Sequence, residues 1–351
     1  MTTPDLTAVD PDKVTDMYKG ISAHLPAPEF SIIVPIYNSE RFLAETLRSF
    51  QHQTLKNFEV VMVNDGSTDS SASIAERFCL EDARFRLFST PNRGIAAARN
   101  LAAQHARALW TAVCDSDDTW EPNKLRRQAE TIWNWEGAGA EPIVAVGTAG
   151  DLINGVGEFI TAVTLHPRPW PELLENEARM LDLNIINSSV VFRRDAFMAL
   201  GGYRSEYSPA EDLDLWVRLS ERGAVINLQE PLTHYRMHDT NVSGSRYVQM
   251  ISSARRVRAD SARRRAGLPE WSAQEYRAQE QGQAGYADSV FRLRHMVYYN
   301  RAKHNLYNRN YRQVALSLLK CLWISPRLSF NLMARSRVFR SGRLFWKKKP
   351  G

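Results

Sequence analysis

Three carboxylates fall within four residues of the stretch "AVCDSDDTW": Asp115, Asp117 and Asp118. They follow an apolar approach (Trp110, Ala112, Val113, Cys114) of the kind that forms a buried strand. Carboxylates gathered this closely raise one another's pKa unless a cation sits among them. With the Asp115-x-Asp117 spacing, one carboxylate can face a bound ligand while the other reaches a hard cation. Mg²⁺ typically binds through one or two carboxylates plus substrate phosphates, and there are too few acids here to cage Ca²⁺. The pattern therefore reads as a metal-plus-diphosphate site in which the ligand completes the coordination shell.

Such a site needs elements that deliver it to one rim. "FSIIVPIYN", "NFEVVMVND", "RFRLFS" and "LWTAVC" are short apolar runs suited to strands buried on both faces. Between them, "SERFLAETLRSFQHQ", "SASIAERFCL" and the Ala-rich "GIAAARNLAAQHARA" have helical spacing, and Asp69 with its neighbouring hydroxyls suits a turn and helix start. Alternating strands and helices at this spacing imply right-handed crossovers and a parallel sheet. Ligands of such sheets bind beyond the carboxyl ends of the strands, where Asn38, Asp65 and Asp115–Asp118 all fall. Residues 120–185 read as a less regular middle rich in Trp, Gly and Pro. "IINSSVVFRRDAFMALGGY" reads as a strand, a helix and a Gly-Gly stop, and "EDLDLWVRLSERGA" as a helix with acids in its first turn. "INLQEPLTHYRMH" reads as a final strand pair, and the chain beyond about 250 as helical and Arg-rich.

The 351 residues suffice for about two domains, and a 44% hydrophobic, 24% charged composition is that of an ordinary globular protein. Three scattered cysteines without a CxxC pair argue against a disulfide framework and for a reducing compartment. The polar N-terminus shows no signal-peptide pattern, and no apolar run approaches the roughly 18–20 residues needed to cross a bilayer. The net charge of +6 hides a split: from Asn241 onward 23 Lys and Arg stand against 5 Asp and Glu, and from Ser289 onward there is no acid at all. That asymmetry asks for a polyanionic neighbour, a nucleic acid or an anionic membrane face, unless it is only a solvated basic surface.

The ordered motifs "SIIVPIYNSERFLAETLRSFQHQTLKNFEVVMVNDGSTDSS", "NRGIAAARN", "CDSDDTWEPNKL", "SSVVFRRDAFMALGGY", "EDLDLWVRL" and "YRMHDTNVS" resemble those of family 2 glycosyltransferases, over residues 30–245. The resemblance implies an inverting enzyme of the bacterial cell-surface polysaccharide type. It implies the GT-A fold: a Rossmann-like α/β architecture with a mainly parallel sheet flanked by helices, here followed by a C-terminal basic helical region. The expected organisation is a polar arm at 1–28, a GT-A domain at 29–250 and the basic region at 251–351. The implied donor is a nucleotide-diphosphate sugar, most readily a UDP-sugar, with Mn²⁺ or Mg²⁺. By the resemblance, Pro35 and Tyr37 lie at the nucleotide and Tyr37 stacks on its base. Asp65 contacts the base edge, Arg93 and Arg99 lie near the phosphates, and Asp115 contacts the ribose. Asp117 binds the metal, with His238 near it, and Asp212 is the general base. Asp118 is expected to be structural. Ser116 stands where the family commonly has a small residue such as Ala.

The acceptor expected is a hydroxyl of a glycan or lipid-linked molecule, presented to a cytoplasmic protein lying peripherally on the inner face of the cell membrane. The C-terminal stretch "ALSLLKCLWISPRLSFNLMARSRVFRSGRLFWKKKPG" suits an interfacial helix, with Phe345 and Trp346 as anchors; a helical cap or dimerisation element is the alternative. Three other functions compete. A nucleic-acid-binding protein would use the basic tail, but no nucleic-acid motif accompanies it, so no nucleic-acid partner is expected. A nucleotidyltransferase would carry a Gly-rich basic loop after the first strand, where this chain has "PIYNSE". A catalytically silent scaffold would not need Asp115, Asp117 and Asp212, all of which are present. Sequence leaves the sugar, the linkage and the oligomeric state open.

Overall fold

The computed structural model describes residues 15–16, 27–137, 141–165, 185–238, 246–282, 286–326 and 329. The chain divides into two compact units: residues 1–153, 159–236 and 253–270 in the first, and 154–158, 237–252 and 271–351 in the second.

The first unit is built on a ten-stranded sheet. Strand β1 (Thr15–Asp16) pairs antiparallel with the edge of a parallel core formed by β2 (Phe30–Ile36), β3 (Phe58–Asp65), β4 (Phe85–Thr90) and β5 (Trp110–Val113). Short β6 (Thr119–Trp120), long β7 (Ile143–Asn154), β8 (Phe159–Val163), β9 (Val191–Arg193) and β10 (Ala224–Met237) extend it, in the order β1-β4-β3-β2-β5-β9-β7-β10-β6, with β8 on β7. Strand β9 runs antiparallel to β5. Every residue of β2 and β3 is buried, as their continuous apolar sequence requires.

Helices α1 (Leu43–Gln51), α2 (Ser71–Glu81) and α4 (Lys124–Gly137) cover one face, meeting Ile32, Val34 and Val60 with Leu47, Phe78 and Ala129. Helices α3 (Ile95–His105), α5 (Arg194–Ala199) and α6 (Glu211–Ser220) cover the other, meeting Ile33 and Val61 with Leu101, Phe197 and Trp216. Strand order reverses between β2 and β5, which places the crevice of the sheet beside the ends of those strands.

Two sequence expectations change here. Residues 120–165 are more regular than their composition suggests. Helix α4 hides in that stretch because its buried face carries Lys124 and Gln128 beside Leu125, Ala129 and Ile132, which blurs the apolar stripe. Strand β7 contains two glycines within four residues, yet it runs on unbroken, and Gly150 is demanded by close packing on β10: a Cβ there would lie 2.4 Å from the Thr233 carbonyl oxygen, whereas one on Gly147 would meet the end of the Asn227 side chain at 2.2 Å. The expected final strand pair is also one 14-residue strand, β10, whose exposed centre at Gln229 and Pro231 mimics a break.

In the second unit, α9 (Tyr286–Tyr307) and α10 (Tyr311–Ile324) form a helical hairpin, turned through Arg309 at φ 58°. The β7–β8 turn grips it: Gly155 N–H donates to Asn308 Oδ1 (3.1 Å), and Arg309 pairs with Glu158 (2.7 Å). Helix α7 (Tyr247–Arg265) runs across the division, and α8 (Ala273–Gln281) opens with a capping box of Ser272 and Glu275. No described helix is long and apolar enough to cross a membrane. Phe345 and Trp346 lie outside the described residues, as does most of the N-terminal arm.

Candidate active site

The loops beyond β2 and β3 are laced together. Asn38, at φ 49°, accepts from Thr68 N–H (2.8 Å) and donates its own N–H to Ser67 Oγ (3.1 Å). Glu40 and the Asp69–Ser70 pair exchange backbone-to-carboxylate bonds, each at 3.0 Å. This lacing presents Tyr37 at the rim, 51% exposed, while Pro35 stays in the buried strand beside Val63. Asp65 is buried at the end of β3, and each of its oxygens accepts one backbone N–H at 2.8 Å, from Arg93 and Gly94. It thereby fixes the start of α3, where Gly94 at φ 90° takes the left-handed turn. The Arg93 side chain is exposed at that turn.

The opening carboxylates are held individually. Asp115, partly exposed, accepts from Arg99 Nη2 (2.6 Å) and lies 3.3 Å from Asn187 Nδ2, and its backbone N–H donates to Ser188 Oγ (3.1 Å). Ser116 Oγ meets Ser39 Oγ at 2.6 Å, tying this turn to the loop after β2. Asp117 is partly exposed, and its carbonyl accepts from Arg236 Nε (2.8 Å). Asp118 is buried. Its Oδ1 accepts from Arg236 N–H (2.8 Å), and its Oδ2 has no hydrogen-bond partner among the described residues. Burial, followed by the charges of Asp117 and Asp115, pushes the Asp118 carboxyl well above the usual carboxylate range.

Arg99 is the hub. It is 3% exposed, rests over the Tyr203 ring (5.2 Å), and spends its two terminal nitrogens on Asp115 and on Glu211 Oε1 (3.1 Å). Through these two charge-assisted bonds it joins the end of β5 to the start of α6, while its Nε has no hydrogen-bond partner among the described residues. Helix α6 is anchored by its own charges: Asp214, fully buried, pairs with Arg218 (2.7 Å) and Arg204. Three acids in its first turn suit the positive end of the helix dipole. Asp212 Oδ1 accepts from Leu213 N–H (2.7 Å), yet burial, and next the neighbouring Glu211, raise its carboxyl to about 6. A carboxylate whose pKa lies that close to neutrality is a competent proton acceptor.

The structure thus gathers Tyr37, Asp65, Asp115, Asp117 and Asp212 around the ends of β2, β3 and β5 and the start of α6, all within the first unit. His238 is buried in the second unit. Among the described residues no group of three or more His, Cys, Asp and Glu could enclose a metal ion. The donor set nevertheless fits Mn²⁺ or Mg²⁺. The raised carboxyl of Asp118, with its orphaned oxygen beside Asp117, marks a surplus of negative charge. Such ions take few protein oxygens when phosphates supply the rest.

Sequence reading missed several residues that hold this arrangement. Arg236 clamps Asp117 and Asp118 from β10 and pairs with Glu45 (2.8 Å); it stood in plain sight in "YRMH", two residues before the histidine that drew attention. Asn187 and Ser188 form a 3-10 turn ahead of β9, and the polar "NSS" before an apolar run was their signal. Glu211 and Tyr203 could not be found from spacing. Each has a buried oxygen without a hydrogen-bond partner among the described residues, Glu211 Oε2 and Tyr203 Oη.

Comparisons with known proteins bear on this geometry. Residues 31–201 match the family model "Glycosyl transferase family 2". EpsE of Bacillus subtilis (strain 168), named as a glycosyltransferase, is 29% identical over 247 residues, covering 69% of this chain and 84% of EpsE. EpsH of the same organism is 37% identical over 107 residues, covering 30% of this chain and 31% of EpsH. The chondroitin synthase of Pasteurella multocida is 27% identical over 216 residues, 62% of this chain and 21% of the synthase. The chain therefore spans a third or less of several of these relatives. The crystal structure of S. aureus TarS residues 1–349 with UDP-GlcNAc superposes with a TM-score of 0.51 at 19% identity, covering 82% of this chain and 89% of that one. That likeness shows the fold, an α/β sheet flanked by helices of the GT-A type, with helices following it. Asp212 lies beyond the matched segment, so the role of α6 rests on geometry. With the ordered motifs, the fold and the matched segment in agreement, residues 31–201 are a glycosyl transferase family 2 segment.

Proposed function

We propose that this protein is an inverting glycosyltransferase that moves a sugar from a nucleotide-diphosphate sugar, a UDP-sugar, to a hydroxyl of a glycan or lipid-linked acceptor at an anionic membrane surface. One observation carries the reading: Arg99 ties Asp115 to Glu211, next to Asp212, the partly exposed carboxyl raised to about 6. A donor-side acid and a base-like acid thus share one rigid cluster.

Each residue then has a defined task. Tyr37 offers its exposed ring to the base, with Pro35 shaping the strand end behind it. Asp65 takes the base edge while holding the α3 turn, and Asp115 takes the ribose. Arg93, exposed at the start of α3, faces the phosphates together with the N-terminal amides of that helix. Asp117 would hold Mn²⁺ or Mg²⁺ together with the diphosphate, and the ion would neutralise the charge of the leaving group. Asp212 accepts the proton of the acceptor hydroxyl as its oxygen bonds to the anomeric carbon. The bond from that carbon to the diphosphate oxygen breaks with its electron pair on the nucleoside diphosphate. One displacement from the opposite face inverts the configuration, the logic of inverting hydrolases with a hydroxyl in place of water.

The test is thermal unfolding with UDP, GDP, CDP and dTDP, each with and without Mn²⁺ or Mg²⁺. A ligand at a hundredfold excess over Kd stabilises by about 2.7 kcal/mol. The expected result is a metal-dependent shift with UDP that Asp117→Ala removes. No shift with any nucleotide would overturn the reading. A shift without UDP release from a UDP-sugar, across a panel of acceptors, would leave a binding scaffold.

A further inference from the structure

Helix α10 buries one face and leaves the opposite one bare. Val314, Ser317 and Cys321 are buried, and Cys321 Sγ lies 3.8 Å from the His295 carbonyl of α9. On the far side, Leu316 (43%), Leu319 (61%) and Trp323 (88%) are exposed at helical spacing, with exposed Arg312 and Lys320 among them. With 3.6 residues per turn, these five positions form a single stripe, opposite the buried one. A tryptophan almost wholly in water is unfavourable unless something covers it.

We propose that this stripe is an interfacial docking face for an anionic lipid surface, entered by Trp323, Leu319 and Leu316 with Arg312 and Lys320 at headgroup level. Charge selects the occupant. The face itself carries Arg312 and Lys320 and no acid, within a segment that from Ser289 onward has 15 Lys and Arg and no Asp or Glu, so a second copy of this face would meet it with like charge, whereas anionic headgroups complement it. The apolar residues supply insertion and the basic ones attraction, the division of labour of a helix lying in an interface. The inference rests on the proposed reading for its purpose, since it names the surface through which a lipid-linked acceptor is met. Its physics is independent of catalysis.

The experiment is co-sedimentation of the full chain with vesicles of phosphatidylglycerol and phosphatidylcholine, and with phosphatidylcholine alone. Binding is expected only to the anionic vesicles, and is expected to weaken at high salt. Leu319→Ser/Trp323→Ser should lower partitioning by tenfold or more, since each buried methylene adds to affinity. Arg312→Glu/Lys320→Glu keeps the apolar residues and should also weaken binding, which covers the case in which the first variant misfolds. Retention of the UDP-induced thermal shift by either variant separates loss of docking from loss of the donor site. Unchanged binding by both variants, or no binding of wild type to anionic vesicles, overturns the proposal. So does a wild-type dimer in light scattering that Leu319→Ser/Trp323→Ser converts to monomer, which would make the face a self-association surface.

Discussion

The two ends of the parallel core treat buried charge in opposite ways. At the amino end, Glu59, 1% exposed, is surrounded: Ser31 Oγ (2.7 Å), Arg107 N–H (2.7 Å), Arg107 Nε (2.8 Å) and Arg86 Nη1 (3.2 Å) all donate to it. One carboxylate meets two guanidiniums. At the carboxyl end, Asp115, Asp117, Asp118, Glu211 and Asp212 crowd around Arg99 and Arg236, and two of the five are driven well above the ordinary carboxylate range. The same strands carry both ends, so the sheet does not dictate the difference. A balanced cluster stabilises; an unbalanced one leaves charge for a ligand to answer.

The sharpest way to break that contrast is Asp212→Asn. Loss of a positioned base should lower kcat by about 10²–10⁴-fold, measured as nucleotide release, with the nucleotide-induced thermal shift kept. Stability should not fall. The folded-state value of Asp212 lies above its ordinary 3.8, so the folded protein binds that proton more tightly than the unfolded chain does. The cost of ionising it builds up as pH rises from about 4 to about 6, and it is present in full above that. Asparagine removes that cost. Activity should therefore fall as pH drops below about 6, because a protonated Asp212 cannot accept the acceptor's proton.

Glu59→Ala should do the reverse. It leaves Arg86 buried without its carboxylate, and breaking such a pair costs about 3–5 kcal/mol, seen as a fall of Tm by roughly 6–20 °C. Nucleotide affinity of the folded fraction should be unchanged; a parallel loss of UDP binding would show that the two ends are not separable.

Arg99→Met tests the hub. Arg99 lowers the Asp212 carboxyl against burial and Glu211, so its removal should move the acid limb of kcat/KM upward by about one pH unit. Arg99→Lys, which keeps charge but not the fork, should fall between. An unmoved limb would mean that Arg99 supports the fold alone. The smallest effect belongs to Asp118→Asn. Since burial and its neighbours already favour the protonated form, Tm should stay level or rise slightly at neutral pH. A drop of several degrees would show that Asp118 is ionised in the resting protein.

Much of the carboxyl end was readable from sequence. Strands buried on both faces announce themselves as apolar runs, and an acid that ends such a run must stand at the rim; that placed Asp65 and Asp115. The partners of those acids were not readable. Arg99 and Glu211 are 112 residues apart, and nothing local says that α3 and α6 lie side by side. The Gly-rich middle looked irregular because the reason for a glycine such as Gly150, the approach of β10, lies some 80 residues onward. Local periodicity records how an element meets the core in general, and is silent on which element it meets.

The Asp115–Arg99–Glu211 clasp also bears on how the protein could be redesigned. A change of donor preference made at the ends of β2 and β3 alone leaves the clasp intact and should carry turnover with it. A graft that replaces the β5 end without α3 and α6 would import an aspartate with no arginine to meet it. The portable module is then three separated segments that travel as one block. For the same reason, drift at any one of these positions would be tolerated only when the other two change with it.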